Sequence, residues 1–149
     1  RMFYSPEHRQ KNDWLTNRCI RAVGEVLPDM LASGSGHVVL IGSLSAYGGL
    51  PKAIGYGASK AAVASIAETM RHDLQGTGID VQLINPGFIK TRLTDKNDFK
   101  MPQLLAPSEA AKHVIKGMRK NTFRYDFPWP FSRVIKLFTS LPDFIRFRV

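Results

Sequence analysis

Ser43-Leu44-Ser45-Ala46-Tyr47-Gly48-Gly49-Leu50-Pro51-Lys52-Ala53-Ile54-Gly55-Tyr56-Gly57-Ala58-Ser59-Lys60 is the stretch from which the rest of the chain can be read. An apolar run, residues 37–41, leads into it, and a long segment rich in small residues leads out. Tyr56 and Lys60 stand four residues apart, a spacing that puts both side chains on one helix face. An ammonium beside a phenol favours the phenolate and draws down a pKa that is ordinarily about 10. A phenol tuned in this way exchanges a proton near neutral pH. Ser43, at the end of a predicted strand, offers a hydroxyl to a substrate oxygen alongside.

Residues 37–41 are short, β-branched and nearly all apolar, the pattern of a parallel strand buried on both faces. In open α/β sheets the binding crevice lies beyond the C-terminal ends of such strands, where Ser43 falls. On the other side, Val63, Ile66, Ala67, Met70 and Leu74 trace one apolar stripe of a helix predicted over 54–75. Gly76-Thr77-Gly78 ends it. Residues 79–85 predict the next strand, with Asp80 and Gln82 making one face wetter. Pro86-Gly87-Phe88-Ile89-Lys90-Thr91 follows, and Gly87 lets backbone come close to a ligand.

Farther out the signals weaken. Ile20, Val23, Val26 and Leu27 predict a helix over about 14–33, with Pro28 kinking or breaking it. Residues 1–18 show no clear period. Residues 92–106 read as a loop. From Pro107 a helix is predicted with Ala111, Val114, Ile115 and Met118 inward. Residues 123–127 alternate as a short strand, and Phe131, Val134, Ile135 and Phe138 recur as on an amphipathic helix.

Ile41-Gly42-Ser43, then Tyr56-Gly57-Ala58-Ser59-Lys60, then Asn85-Pro86-Gly87, in this order on a strand–helix–strand pattern, resemble the active-site half of the short-chain dehydrogenase/reductase family. The resemblance implies an α/β, three-layer Rossmann-like fold with a parallel sheet, of which the C-terminal part of the doubly wound sheet is encoded. It makes 1–149 a single partial domain, with 1–18 atypical and 19–149 family-like. It implies carbonyl reduction or alcohol oxidation with NAD or NADP on a small apolar substrate, and no metal. Ser43, Tyr56 and Lys60 would be catalytic. Tyr56, Lys60, Pro86, Gly87, Ile89 and Thr91 would meet the cofactor. Leu50, Phe88, Met101 and Leu105 would line the pocket, beneath a lid at 92–106. Helices at about 14–33 and 54–75 would build a homo-oligomer.

Two features depart from the family pattern. The Thr-Gly-x-x-x-Gly-x-Gly turn, which sets backbone N–H groups and a helix N-terminus on a pyrophosphate, does not occur in these residues. The chain as it stands is therefore expected not to bind the dinucleotide with useful affinity. The family's relay asparagine, counted back from Pro28, corresponds to Leu15. Two other readings follow: a catalytically inactive fragment serving as a dimerisation module, and a basic membrane-surface protein.

Composition bounds these readings. Hydrophobic residues make up 44% and charged residues 22%, as in a globular domain. One cysteine, Cys19, forms no internal disulfide and suits a cytoplasmic setting. The net charge of +9 is uneven, with nine basic and two acidic residues falling in 111–149. A basic tail suits acidic lipid or nucleic acid. The reading adopted is a solvated helix face, with no nucleic acid and at most weak membrane contact, because the pattern of the tail's apolar residues predicts that they pack inward.

Overall fold

The computed structural model describes residues 6–48, 54–92, 94 and 101–148, with side chains from residue 16 onward. Three strands, β1 (Gly36–Ile41), β2 (Ile79–Pro86) and β3 (Arg124–Phe127), form a parallel sheet in the order β1-β2-β3. Helices α1 (Pro6–Ser33) and α2 (Ile54–Asp73) cover one face, and α3 (Pro107–Met118) lies on the other. Helices α4 (Phe131–Thr139) and α5 (Asp143–Arg146) close the described chain. This is the three-layer arrangement that the family resemblance implies.

Alternation along the strands decides which side chains meet which layer. Val38, Leu40, Val81 and Leu83 point to α1 and α2 and pack with Val63, Ala67 and Leu74. Ile84 and Phe127 point the other way and pack with Ala110 of α3. The stripe on α2 is as expected. The inward face of α3 is rotated by one residue: Ala110, Val114 and Gly117 turn inward, whereas Ile115 and Met118 are exposed. Gly117 permits this, because a Cβ there would stand 2.4 Å from the Tyr125 ring, which fills the space instead.

Three further expectations are corrected. Helix α1 begins at Pro6 and runs unbroken through Pro28, so the irregular look of 1–18 hides helix from residue 6. Pro28 forfeits one backbone hydrogen bond, and Val23, Leu27 and Met30 on either side of it are packed against the core. β1 is not buried on both faces: Val38 and Leu40 are buried but Ile41 is exposed. Gln82 does not make a wet face. It is buried, its Oε1 accepts a hydrogen bond from His37 Nε2 at 3.0 Å, and it gives its amide N–H groups to carbonyls at and just beyond the end of α3, Thr122 O among them at 3.1 Å.

Candidate active site

β1 delivers Ser43 to the C-terminal edge of the sheet. Its buried hydroxyl caps a one-turn 3-10 helix (Leu44–Ala46), accepting from Ser45 N–H at 3.2 Å and from the Ser45 hydroxyl at 3.0 Å. A hydroxyl has two acceptor sites and one donor. With both acceptor sites engaged, the Ser43 proton is left to donate. Gly42 beside it is required, because a Cβ would fall 2.1 Å from Asn85 Oδ1. The 3-10 turn packs on α2, which brings the Ser43 loop to the start of the helix carrying Tyr56.

Tyr56 is 44% exposed at the N-terminal end of α2. The Lys60 ammonium lies over its ring, 5.9 Å from the centroid, so the four-residue spacing does bring phenol and amine to one face. Lys60 Nζ also donates to the Ile41 carbonyl at 2.9 Å. Gly42 N–H points to Ile84 of β2, and in a trans peptide the Ile41 carbonyl therefore points to the opposite edge of β1. That edge has no strand partner among the described residues. Burial pushes the Lys60 pKa below the ordinary lysine value, with Cys19 acting in the opposite sense.

The predicted cofactor-side residues lie at the end of β2. Pro86 is its last residue, and Gly87 N–H donates to Phe127 O at 2.7 Å. A Cβ at Gly87 would stand 3.0 Å from Pro128 and 3.3 Å from Phe131, so the turn fits beneath α4 because it has none. Ile89 bridges to Leu105, and its carbonyl accepts from the Thr94 hydroxyl at 2.9 Å. Thr91 is exposed, and its N–H donates to Thr94 Oγ1 at 2.7 Å. Phe88 packs at a tilt on Phe131, with centroids 5.6 Å apart. Leu50 and residues 95–100 of the expected lid lie outside the described residues. Among the described residues no three His, Cys, Asp or Glu lie together as a metal site would require.

A cluster that sequence reasoning missed stands between these parts. The parallel register places Asn85 of β2 beside Asp126 of β3. Asn85 Nδ2 donates to Asp126 Oδ1 at 2.8 Å, the Tyr47 hydroxyl donates to the same carboxylate at 2.8–2.9 Å, and Lys136 of α4 forms an ion pair with it. Tyr47 is thus a tie between the Ser43 loop, β3 and α4. Burial, reinforced by the hydrogen bond to Asp126, pushes the Tyr47 pKa above the ordinary phenol value. Burial works against the Lys136 ammonium, but its contacts with Asp126 and Tyr47 outweigh it and hold that pKa above the ordinary lysine value.

Both groups thus keep their protons longer in the fold than in the unfolded chain. Their stabilisation is full below the unfolded values, about 10 for tyrosine and 10.4 for lysine, and is lost as pH rises through the folded ones. Thermal stability is expected to fall in this alkaline window, and Tyr47→Phe to flatten the fall. Melting curves across the window check this. An unchanged slope in the variant would remove Tyr47 from the account.

The model of the short chain dehydrogenase family matches residues 16–101. The chain belongs to this family. An uncharacterized oxidoreductase of Myxococcus xanthus is 37% identical over 118 residues, covering 79% of this chain and 47% of the relative. The ketoacyl reductase HetN of Nostoc is 33% identical over 101 residues, covering 65% of this chain and 35% of the relative. A short chain dehydrogenase of Burkholderia cenocepacia, solved in complex with NADP, superposes with a TM-score of 0.78 at 22% identity. It matches 90% of this chain and 56% of that one. A short-chain dehydrogenase of Sphingobium yanoikuyae in complex with NADPH superposes with a TM-score of 0.70 at 21% identity, over 87% of this chain and 55% of that one. The chain thus spans about half the length of the short-chain dehydrogenases it matches.

Proposed function

We infer that this chain carries the catalytic half of an NAD(P)-dependent oxidoreductase that interconverts a carbonyl and an alcohol on a small apolar substrate. The observation that carries this reading is the Lys60 ammonium over the Tyr56 ring, beside a strand end where Ser43 keeps its proton to donate. The resident dinucleotide fits these residues at its nicotinamide end. Lys60 is a desolvated cation, Tyr56 is an accessible phenol, and the Pro86–Gly87 turn is narrow enough to lie under Phe131. When bound, a nicotinamide supplies or accepts the hydride.

The chain's own residues do the rest. Ser43 donates a hydrogen bond to the substrate oxygen and orients it. Tyr56 gives its phenolic proton to that oxygen in reduction and takes it back in oxidation. Lys60 would hold the cofactor's ribose and, as the ammonium, stabilises the phenolate; burial loosens its proton but lowers the dielectric through which its charge acts. The Ile89 main chain would meet the cofactor's carboxamide and Thr91 its amide or pyrophosphate, and Phe88, Met101 and Leu105 would face the apolar substrate. Two copies associate through the outer faces of α1, where Ile20, Val26 and Leu31 are exposed, and of α2. A cytoplasmic setting suits the single cysteine.

The test is a fluorescence titration with NADH and NADPH. Residues 1–149 alone are expected to show no saturable binding, because a pyrophosphate-binding turn is not among them. Joined to a family half that supplies this turn, they are expected to bind and to turn over a carbonyl substrate. Saturable binding by the 149 residues alone would show that the phosphates are held in another way. A joined protein that binds cofactor but reduces nothing would overturn the catalytic reading.

A further inference from the structure

The apolar residues near the C-terminus do not all pack inward. On α4, Phe131, Ile135 and Phe138 are partly buried, Ser132 is buried, and Lys136 reaches in to Asp126. Val134 and Leu137, one turn apart, share the opposite face and are exposed, Leu137 by 68%. Trp129 just before the helix is 74% exposed, and Phe144 and Phe147 on and after α5 are 67% and 72% exposed. Large apolar side chains are thus presented outward from a short segment, which corrects the expectation that they pack into the core. Arg133 and Arg148 flank them. Both are exposed, and neither pairs with a carboxylate among the described residues.

We propose that α4 and α5 dock on an anionic lipid surface, with Trp129, Leu137 and Phe147 entering the headgroup region and Arg133 and Arg148 meeting lipid phosphates. A helix with a strongly apolar face and basic flanks lies in the membrane interface rather than across it, and tryptophan favours that depth. With 9 and 4 residues, α4 and α5 are too short to cross a bilayer, which takes about 20, so they would lie along its surface. Charge selects the occupant. Residues 129–148 hold four basic residues and one acidic; Lys136 pairs with Asp126 and Arg146 with Asp143, which leaves Arg133 and Arg148 to an acidic bilayer, each adding about 1 kcal/mol. A second copy is a poorer occupant, because a symmetric contact sets this basic patch against itself. The inner face of α4 abuts the site, where Thr139 touches Gly48 and Phe131 touches Gly87. The docked surface therefore lies beside the strand ends. The proposal does not depend on the catalytic reading.

The experiment is co-sedimentation of the 149-residue chain with phosphatidylcholine vesicles, with and without phosphatidylserine, at low and raised salt. It is paired with fluorescence of a Trp14→Phe form, in which Trp129 is the remaining tryptophan. Binding is expected on the acidic vesicles, falling as screening shortens from about 10 Å at 0.1 M salt to about 3 Å at 1 M, with a blue shift of Trp129 emission. Leu137→Ser with Phe147→Ser should cut vesicle partition by about tenfold or more and abolish the shift. Because both residues are exposed, the melting temperature should not change. Arg133→Gln with Arg148→Gln should remove part of the salt dependence. Failure to bind acidic vesicles overturns the proposal. So does binding with no blue shift and no effect of the serine substitutions. A dimer in light scattering that those substitutions dissociate would assign the face to a second copy and overturn it too.

Discussion

Tyr56→Phe, made in a protein that joins these residues to a pyrophosphate-binding half, is expected to lower turnover by about 10²–10⁴-fold, the range general acid–base catalysis contributes. The phenyl ring keeps the contact with Lys60, which lies over the ring face at 5.9 Å, and it keeps the local volume of α2. What is lost is the proton. Cofactor affinity should therefore move little while turnover falls, and the loss should appear equally at saturating and limiting substrate. Steady-state kinetics with a cofactor titration beside them make the measurement. A variant within a few-fold of its parent would mean that Tyr56 is not the acid/base, and Ser43 or a bound water would have to take that part.

Asp126→Ala is expected to destabilise the chain by about 3 kcal/mol, since hydrogen bonds to a charged group are worth about 1.5–3 kcal/mol and a buried pair costs more to break than to lack. Its side chain is only 7% exposed and holds three partners from three places: Tyr47 after β1, Asn85 on β2 and Lys136 on α4. Lys136 is 41% exposed and can return to water, which keeps the cost below that of a fully buried ion pair. Asn85 has no such recourse, and its Oδ1 is already buried without a partner. For a domain of this size the loss corresponds to a fall in melting temperature of about 6–12 °C. Asp126→Asn, which keeps an acceptor for the Tyr47 hydroxyl, should fall less. If calorimetry finds the alanine variant as stable as its parent, the cluster does not hold the strand ends together.

The position of this cluster separates what was readable from what was not. Tyr56 and Lys60 were legible because their relation is local: four residues of helix fix it whatever surrounds them. The same holds for the stripe on α2 and for Ser43 at the end of an apolar strand, where a period of 3.6 or 2 speaks for itself. Asp126 gave no signal, because it meets Asn85 through the register of two strands far apart in sequence. Register depends on how whole elements stack, not on any short pattern.

The sequence by itself determined the types of the strongly periodic elements and the residues that can share a face, since these follow from backbone geometry and side-chain spacing, and the parallel α/β layering through the family resemblance of its motifs. It also settled the family through the ordered Ser43, Tyr56, Lys60 and Asn85-Pro86-Gly87. Only the tertiary structure decided which faces are covered. α3 turned Ala110, Val114 and Gly117 inward, because the Tyr125 ring needed the space above Gly117. α1 kept Pro28 within an unbroken helix whose neighbouring side chains are packed. α4 buried the face that reaches Asp126 and left Leu137 outward. An amphipathic pattern states that a face can be buried, and burial itself requires a partner surface, which distant residues supply or withhold.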